Sequence, residues 1–468
     1  MKLLKNDIMR GGGANMKHSS LQLLTVFSAF MMSAGMNAAL PVIEQSSVDF
    51  RQVNAKATIS YELKNAPAIV TVDIETNTLA DASGEWVSIG GENMQTLSGD
   101  VHKVIRAGAR KITWQSRAEW PEKSIPAGQI RAVVTAWPTN APPDYLVIGL
   151  ETKNDVRLYA KPDFVPYGIN SDYYKTNAIL MRKIPAAGVV WRMGSPEDED
   201  TNRGAGEIPH LVMLTADYYM GVYELTQGQL AKIGYKNQSN KSHESHFKDF
   251  PDSPMRPAEK LSVNILRGGF DTDYGHPDVV PWPESGYTNI YSKSLIGTLR
   301  SKCGLDQIDL PTEAQWEYAC RAGTTTAFNN GGDSTTENMT LVGWFYGNSV
   351  VEVEGGRERQ THVVGLKEKN KFGLYDMHGN VQERCLDRFA GEQLLASLLP
   401  KDYASGGVVI DPIGPQEAEV DNVRTFVFRG GWYTRQHYDC RSAMRNAGSN
   451  NTVYEYNGCR LCAPAIFK

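Results

Sequence analysis

The amino-acid sequence predicts an α+β chain. An N-terminal antiparallel β-sandwich, immunoglobulin-like in size and strand spacing, precedes a larger domain of different texture. Three observations predict it. Residues 47–151 carry run after run of alternating apolar and polar side chains, separated by Gly, Pro, Asn and Asp. From Ile184 onward, glycine, tryptophan and arginine become frequent and sharp helix starts appear. The length, 468 residues, exceeds what one hydrophobic core usually organises.

In chain order, residues 1–39 are expected to be a signal peptide. "LQLLTVFSAFMMSAG" (21–35) is too short to span a bilayer comfortably; Lys17 and His18 precede it, and Ala34, Gly35, Ala38 and Ala39 provide small residues for cleavage. Met16 is the expected true start, because "MKHSSLQLL" is a complete n-region; an uncleaved membrane anchor is the alternative. The mature chain is therefore expected to be secreted, periplasmic or at the cell surface, where disulfides persist. Apolar content of 41% and charged content of 22% are those of a globular protein, and a net charge of -5 argues against nucleic acid as partner.

Residues 40–151 form the expected sandwich. "ATISYEL" sets Ala57, Ile59, Tyr61 and Leu63 against Thr58, Ser60 and Glu62; "VTVDIET" sets Val70, Val72 and Ile74 against Thr71, Asp73 and Glu75. "WVSIGG", "KITWQS", "IRAVVTAW" and "YLVIGLE" supply further strands. With no cysteine and no cluster of catalytic residue types, the module reads as a spacer or adhesion unit. Residues 152–185, with Pro162, Pro166 and Gly168, read as an irregular connection.

Residues 186–468 form the second domain. Thr226 and Gln229 predict a capping box, with Leu225 and Leu230 as its hydrophobic staple. Thr312 and Gln315 repeat the box; Trp316, Ala319 and Cys320 share the helical face that follows, and Gly323 is placed to end the helix. "FNNGGDSTTENMT" reads as a surface loop, and His243 and His246 of "SHESHF" as surface histidines rather than metal ligands. All six cysteines lie in the last third, an even count that suits up to three bridges. In a terminal strand Cys459 and Cys462 would point to opposite faces, toward different partners such as Cys303 and Cys320.

Six segments in order, "VVWRMGSPEDE", "YYMGVYELTQGQL", "LPTEAQWEYACRAG", "GLYDMHGNVQERCLD", "FRGGWY" and "CRSAMRN…NGCRL", resemble the formylglycine-generating enzyme, or sulfatase-modifying factor, family over about 280 residues. The resemblance implies a C-type-lectin-like core with little regular secondary structure. The family's copper enzymes convert a sulfatase cysteine to formylglycine with oxygen, while other members only bind ligands. Their copper site needs two cysteines five residues apart after the "GG" motif, and Cu(I) suits such a thiolate pair. Here those positions are Arg435 and Cys440, with Trp432 in place of the usual serine and Gln382 in place of the usual tryptophan. Copper chemistry is therefore not expected. His437 and Cys440 remain candidate catalytic residues for other chemistry. The resemblance also implies a Cys385–Cys440 bridge and a calcium loop at Asp376, Gly379, Val381 and Glu383, whose donors are hard oxygens. Trp432, Arg435, Arg441 and Arg445 are the expected ligand-binding residues, beside the polar "RNAGSNNTVYEYN". The expected function is a calcium-supported accessory protein that binds a glycan, peptide or protein; the alternatives are a formylglycine-generating oxidoreductase or another enzyme in the same cleft.

Overall fold

The computed structural model describes residues 39–79, 83–121, 125–126, 128–237, 241–268, 290–399, 406–415 and 425–467. The leader expected at 1–39 lies, but for its last residue, outside them.

Period-two alternation builds the N-terminal sheets. Strand Lys56–Lys64 pairs antiparallel with Gly108–Trp114 and with Asp49–Val53. Strand Ala68–Asn77 pairs antiparallel with Ile130–Pro138, Trp86–Ser88 and Val104–Ile105. Ala57, Ile59, Tyr61 and Leu63 of the first sheet and Ala68, Val70, Val72 and Ile74 of the second share one core with Ile112 and Trp114. The polar alternates face outward, as one-sided burial requires. Thr71 and Asn77 are exceptions, buried on the reverse face; Thr71 accepts a hydrogen bond from Trp137 Nε1 at 2.9 Å.

The strand "YLVIG" departs from the expectation. Tyr145–Gly149 pairs not with the sandwich but with Val156–Tyr159 and Ala178–Ile184. It belongs to a five-stranded sheet that Tyr218–Gly221 and the C-terminal Cys462–Pro464 complete. The reason is its unbroken apolar run. Leu146 and Ile148 enter one core while Tyr145 and Val147 enter another, so the strand is buried on both faces. Residues 152–185 thus contain two paired strands. Ile69, on the reverse face of Ala68–Asn77, joins the same core as Leu146, which packs the N-terminal sheets against the rest. Residues Pro41–Lys468 form one compact unit.

Both capping boxes form. Thr226 and Gln229 exchange hydrogen bonds of 3.2 and 3.1 Å ahead of helix Gln227–Ile233. Thr312 and Gln315 do the same at 3.2 and 2.9 Å ahead of Glu313–Arg321. The second helix ends one residue early: Ala322 takes the left-handed conformation (φ 46°), and Gly323 follows at 87°. Among the described residues no helix is long and apolar enough to cross a membrane.

The cysteine expectation is corrected. All six are buried free thiols, and the Cys385–Cys440 bridge is absent. Cys385 and Cys440 lie in different apolar clusters. Cys459 and Cys462 do enter opposite cores, beside Cys303 and Cys320 respectively, but as small apolar side chains. Cys303 Sγ lies 4.0 Å from Arg300 O and Cys462 Sγ 3.7 Å from Gln315 Oε1.

Candidate functional site

A four-stranded sheet, ordered Asn446–Ser449, Thr425–Arg429, Gln382–Arg388, Asn457–Gly458, carries the segments singled out above. Strand Thr425–Arg429 ends on Gly430 (φ 91°) and Gly431 (φ 69°), which only glycine adopts at no cost. Gly431 must also be small: a Cβ there would sit 2.5 Å from Cys440 Sγ and 2.6 Å from Asp439 O. Beyond this turn Tyr433 N donates to Asn380 O at 3.0 Å, which ties the segment 432–440 to the loop before Gln382–Arg388.

Within that segment the candidate catalytic residues do not meet. Cys440 has no exposed surface and packs with Phe328, Met339, Val342 and Phe345. Burial, reinforced by the Asp439 charge, pushes its thiol far up. His437 is half-buried at the start of the short turn His437–Cys440, with Nδ1 3.4 Å from Thr336 Oγ1. The imidazole that touches Cys440 is His378, whose Nδ1 lies 2.7 Å from the Cys440 carbonyl. Its Nε2 accepts from Asn329 N at 3.1 Å and lies 3.7 Å from Cys320 Sγ. Sequence reasoning missed this pair. Burial holds His378 near pKa 4 and pushes Cys320 up to about 12, so both stay neutral and inert at physiological pH.

The four expected ligand-binding residues divide. Arg441 is buried between Glu199 (2.6 Å) and Glu207 (2.8 Å). Arg445 is buried against Glu313, at 2.6 and 2.9 Å, and against Ala390 O at 2.9 Å. Arg429 joins this network through Glu313 (2.9 Å) and a close pair with Glu317. These arginines neutralise buried carboxylates and do not present donors to a ligand.

Trp432 and Arg435, by contrast, meet at the surface. The exposed Arg435 guanidinium lies 4.2 Å over the Trp432 ring. Tyr456 stacks on Trp432 at 4.3 Å with planes 9° apart, and Tyr454 on Tyr456 at 5.1 Å and 19°. Phe247 and Tyr433 pack with Trp432 below. Nearby, Arg359 lies 3.5 Å over Tyr346, and the Tyr346 amide donates to Arg435 O at 2.7 Å. Neither Tyr346 nor Arg359 was singled out from the sequence; Arg359 ends the strand Gly356–Arg359.

The expected calcium loop is buried and acidic. Asp376 sits in the left-handed region (φ 55°), accepts from Gly365 N at 2.6 Å through Oδ2, and leaves Oδ1 buried without a hydrogen-bond partner among the described residues. Glu383 differs: its carboxylate takes Arg460 at 2.7 Å and Trp316 Nε1 at 2.7 Å. Glu224, which lies in the segment "YYMGVYELTQGQL" but was not singled out there, is fully buried and among the described residues accepts only from neutral donors, Val381 N at 3.1 Å and Asn380 Nδ2 at 2.7 Å. Burial, then the charges of Asp376 and Glu383, push its pKa well up; burial lifts Asp376 to about 6. Among the described residues no group of three or more His, Cys, Asp or Glu side chains forms a ready metal cage.

Residues 183–465 match the family model described as "Sulfatase-modifying factor enzyme 1-like domain". Over 189 residues the chain is 26% identical to Chaperone protein LppX of Paenibacillus barcinonensis, covering 36% of this chain and 62% of that protein. It is 40% identical over 81 residues to formylglycine-generating enzyme of Mycobacterium tuberculosis, covering 17% of this chain and 27% of that protein. To formylglycine-generating enzyme of Streptomyces coelicolor it is 30% identical over 151 residues, 32% of this chain and 43% of that one. The chain thus spans less than two thirds of these curated relatives. Among solved structures it is similar to Treponema denticola variable protein 1 (TM-score 0.42, 23% identity, 61% of this chain and 95% of that one). It is also similar to PvdO from Pseudomonas aeruginosa (TM-score 0.43, 19% identity, 61% of this chain and 94% of that one).

Proposed function

The chain belongs to the sulfatase-modifying factor enzyme 1-like family through residues 183–465, and from that premise we propose that it is an exported accessory protein that binds a glycan, peptide or protein and lacks copper-dependent formylglycine formation. One observation carries this reading. The two positions that would supply a thiolate pair hold a ring-stacked guanidinium, Arg435, and a thiol sealed in an apolar cluster, Cys440. A guanidinium offers no lone pair to Cu(I), and a thiol whose pKa is raised by burial stays protonated. The residues do not fit copper.

An accessory role is in keeping with the relative named as a chaperone. In this reading the N-terminal pair of sheets is an immunoglobulin-like spacer, and the C-terminal region is a lectin-like scaffold that presents loops. Calcium is the metal we propose for the loop Asp376–Glu383. Asp376 fits it, because an orphaned buried carboxylate oxygen is a donor in want of a cation. Glu383 does not, because Arg460 and Trp316 already occupy its oxygens. Asp376 with the carbonyls of Gly379 and Val381 would hold the ion, and Glu224 would add a compensating charge. The bound ion would brace a loop that has little regular structure of its own.

The test is incubation of the full chain with Cu(I), oxygen and a peptide bearing Cys-x-Pro-x-Arg, read by mass spectrometry. The expected result is unchanged peptide. Appearance of the aldehyde would overturn the proposal.

A further inference from the structure

The ring-stacked arginines raise a question that the accessory reading leaves open, namely what they hold. Arg435 is exposed, yet it is fixed. Its guanidinium lies 4.2 Å from the Trp432 centroid, and Tyr456 stacks on the same ring at 4.3 Å. Trp432 itself is only 7% exposed and rests on Phe247 and Tyr433. Among the described residues the Arg435 side chain meets no hydrogen-bond or ion-pair partner. Asp439 is the carboxylate that feels its charge, and it is half-buried. Arg359 is held the same way, 3.5 Å over Tyr346, with Nε donating to Tyr346 O at 3.0 Å. Tyr346 N donates to Arg435 O at 2.7 Å, so one residue anchors both arginines. Stacking keeps each planar fork oriented and leaves its outer N–H groups for an oxyanion, which a guanidinium binds with two parallel hydrogen bonds. The ladder's other end is Tyr454, 54% exposed, which offers a flat ring face. Flat aromatic faces suit the C–H face of a sugar ring.

We propose that Arg359 and Arg435, anchored on Tyr346 and Trp432, are the anion-recognising end of a saccharide site whose stacking platform is the exposed ring of Tyr454, and that its ligand is an acidic glycan bearing carboxylate or sulfate groups. This rests on the ligand-binding reading above and names its ligand class. The rigid stack supplies binding at little cost in side-chain freedom, because both forks are already ordered in the free protein.

Calorimetric titration of the full chain tests it, with tetragalacturonate, a sulfated tetrasaccharide, neutral cellotetraose, hexaglutamate and sodium sulfate as separate probes. One or both acidic saccharides are expected to bind, with affinity falling as salt rises. Cellotetraose, hexaglutamate and free sulfate are expected to bind at least about tenfold more weakly. The arm that binds says whether carboxylate or sulfate is the feature read. Arg435→Ala, Arg359→Ala and Tyr454→Ala, all surface changes, should each weaken binding about tenfold or more with the melting temperature unchanged. Arg435→Lys should restore only part, since lysine lacks the planar fork. Equal binding of cellotetraose, or undiminished binding by the arginine variants, would overturn the proposal. So would hexaglutamate binding as tightly, which would make the partner a protein, and so would free sulfate binding as tightly, which would leave a bare anion site. If no saccharide binds while the copper assay stays negative, this assignment fails and the accessory reading stands.

Discussion

A thiol becomes reactive when something favours its anion, and at Cys440 the surroundings do the reverse. The apolar cluster around it raises its pKa, and the nearby Arg435 offsets too little of that. Burial also pushes Cys303 up to about 11 and Cys320 up to about 12. None of the six thiols should therefore react with a thiol reagent at pH 8 in the native protein, and all six should react in denaturant without reductant. A count below six would show that disulfides form. Arg441 marks the opposite situation, a buried charge that must keep its partners. Replacing it with alanine leaves Glu199 and Glu207 unpaired in the interior, and about 3–5 kcal/mol of stability should be lost in chemical denaturation. An unchanged midpoint would mean that these carboxylates reach water.

At the scale of elements, the turn after Thr425–Arg429 decides where the surface residues stand. Gly431→Ala meets both a left-handed backbone and the Cys440 sulfur. It should lower the melting temperature by several degrees, and Cys440→Ala should fail to rescue it, since Asp439 O stays 2.6 Å from the new methyl. Rescue would place the whole effect on the sulfur contact. The elements differed in how well they could be read. Lys56–Lys64 was legible because one buried face leaves a period-two record, and both capping boxes because their hydrogen bonds join residues three apart. Tyr145–Gly149 was legible as a strand but not as a member of its sheet, because a segment buried on both faces carries no sidedness.

For the whole molecule, buried charge sets the dependence on pH and cation. Asp376 has its folded pKa raised to about 6, mainly by burial. A carboxyl raised in this way contributes stability that is fully present below its unfolded pKa, near 4, and lost as pH rises through about 6. Cation-free protein should thus lose stability between pH 4 and pH 7 by way of Asp376, with Glu224 extending the loss to higher pH. Calcium at millimolar concentration should reduce that slope, leaving the share of carboxyls outside the loop such as Asp73 and Glu259, and raise the melting temperature, and Asp376→Asn should abolish both effects of calcium. A calcium-insensitive melting curve across that range would refute the assignment of the loop. Composition, alternation, capping boxes and ordered motifs were enough to indicate a strand-rich N-terminal region and a sulfatase-modifying factor-like remainder, because each is a local pattern along the chain. The tertiary structure alone decided which arginines are free. Arg441, Arg445 and Arg435 look alike in sequence, but the first two face carboxylates from distant segments, Glu199, Glu207 and Glu313. Arg435 faces an aromatic ring and solvent. Charge pairing in the interior depends on what the fold brings from far along the chain, and no spacing within a motif encodes it.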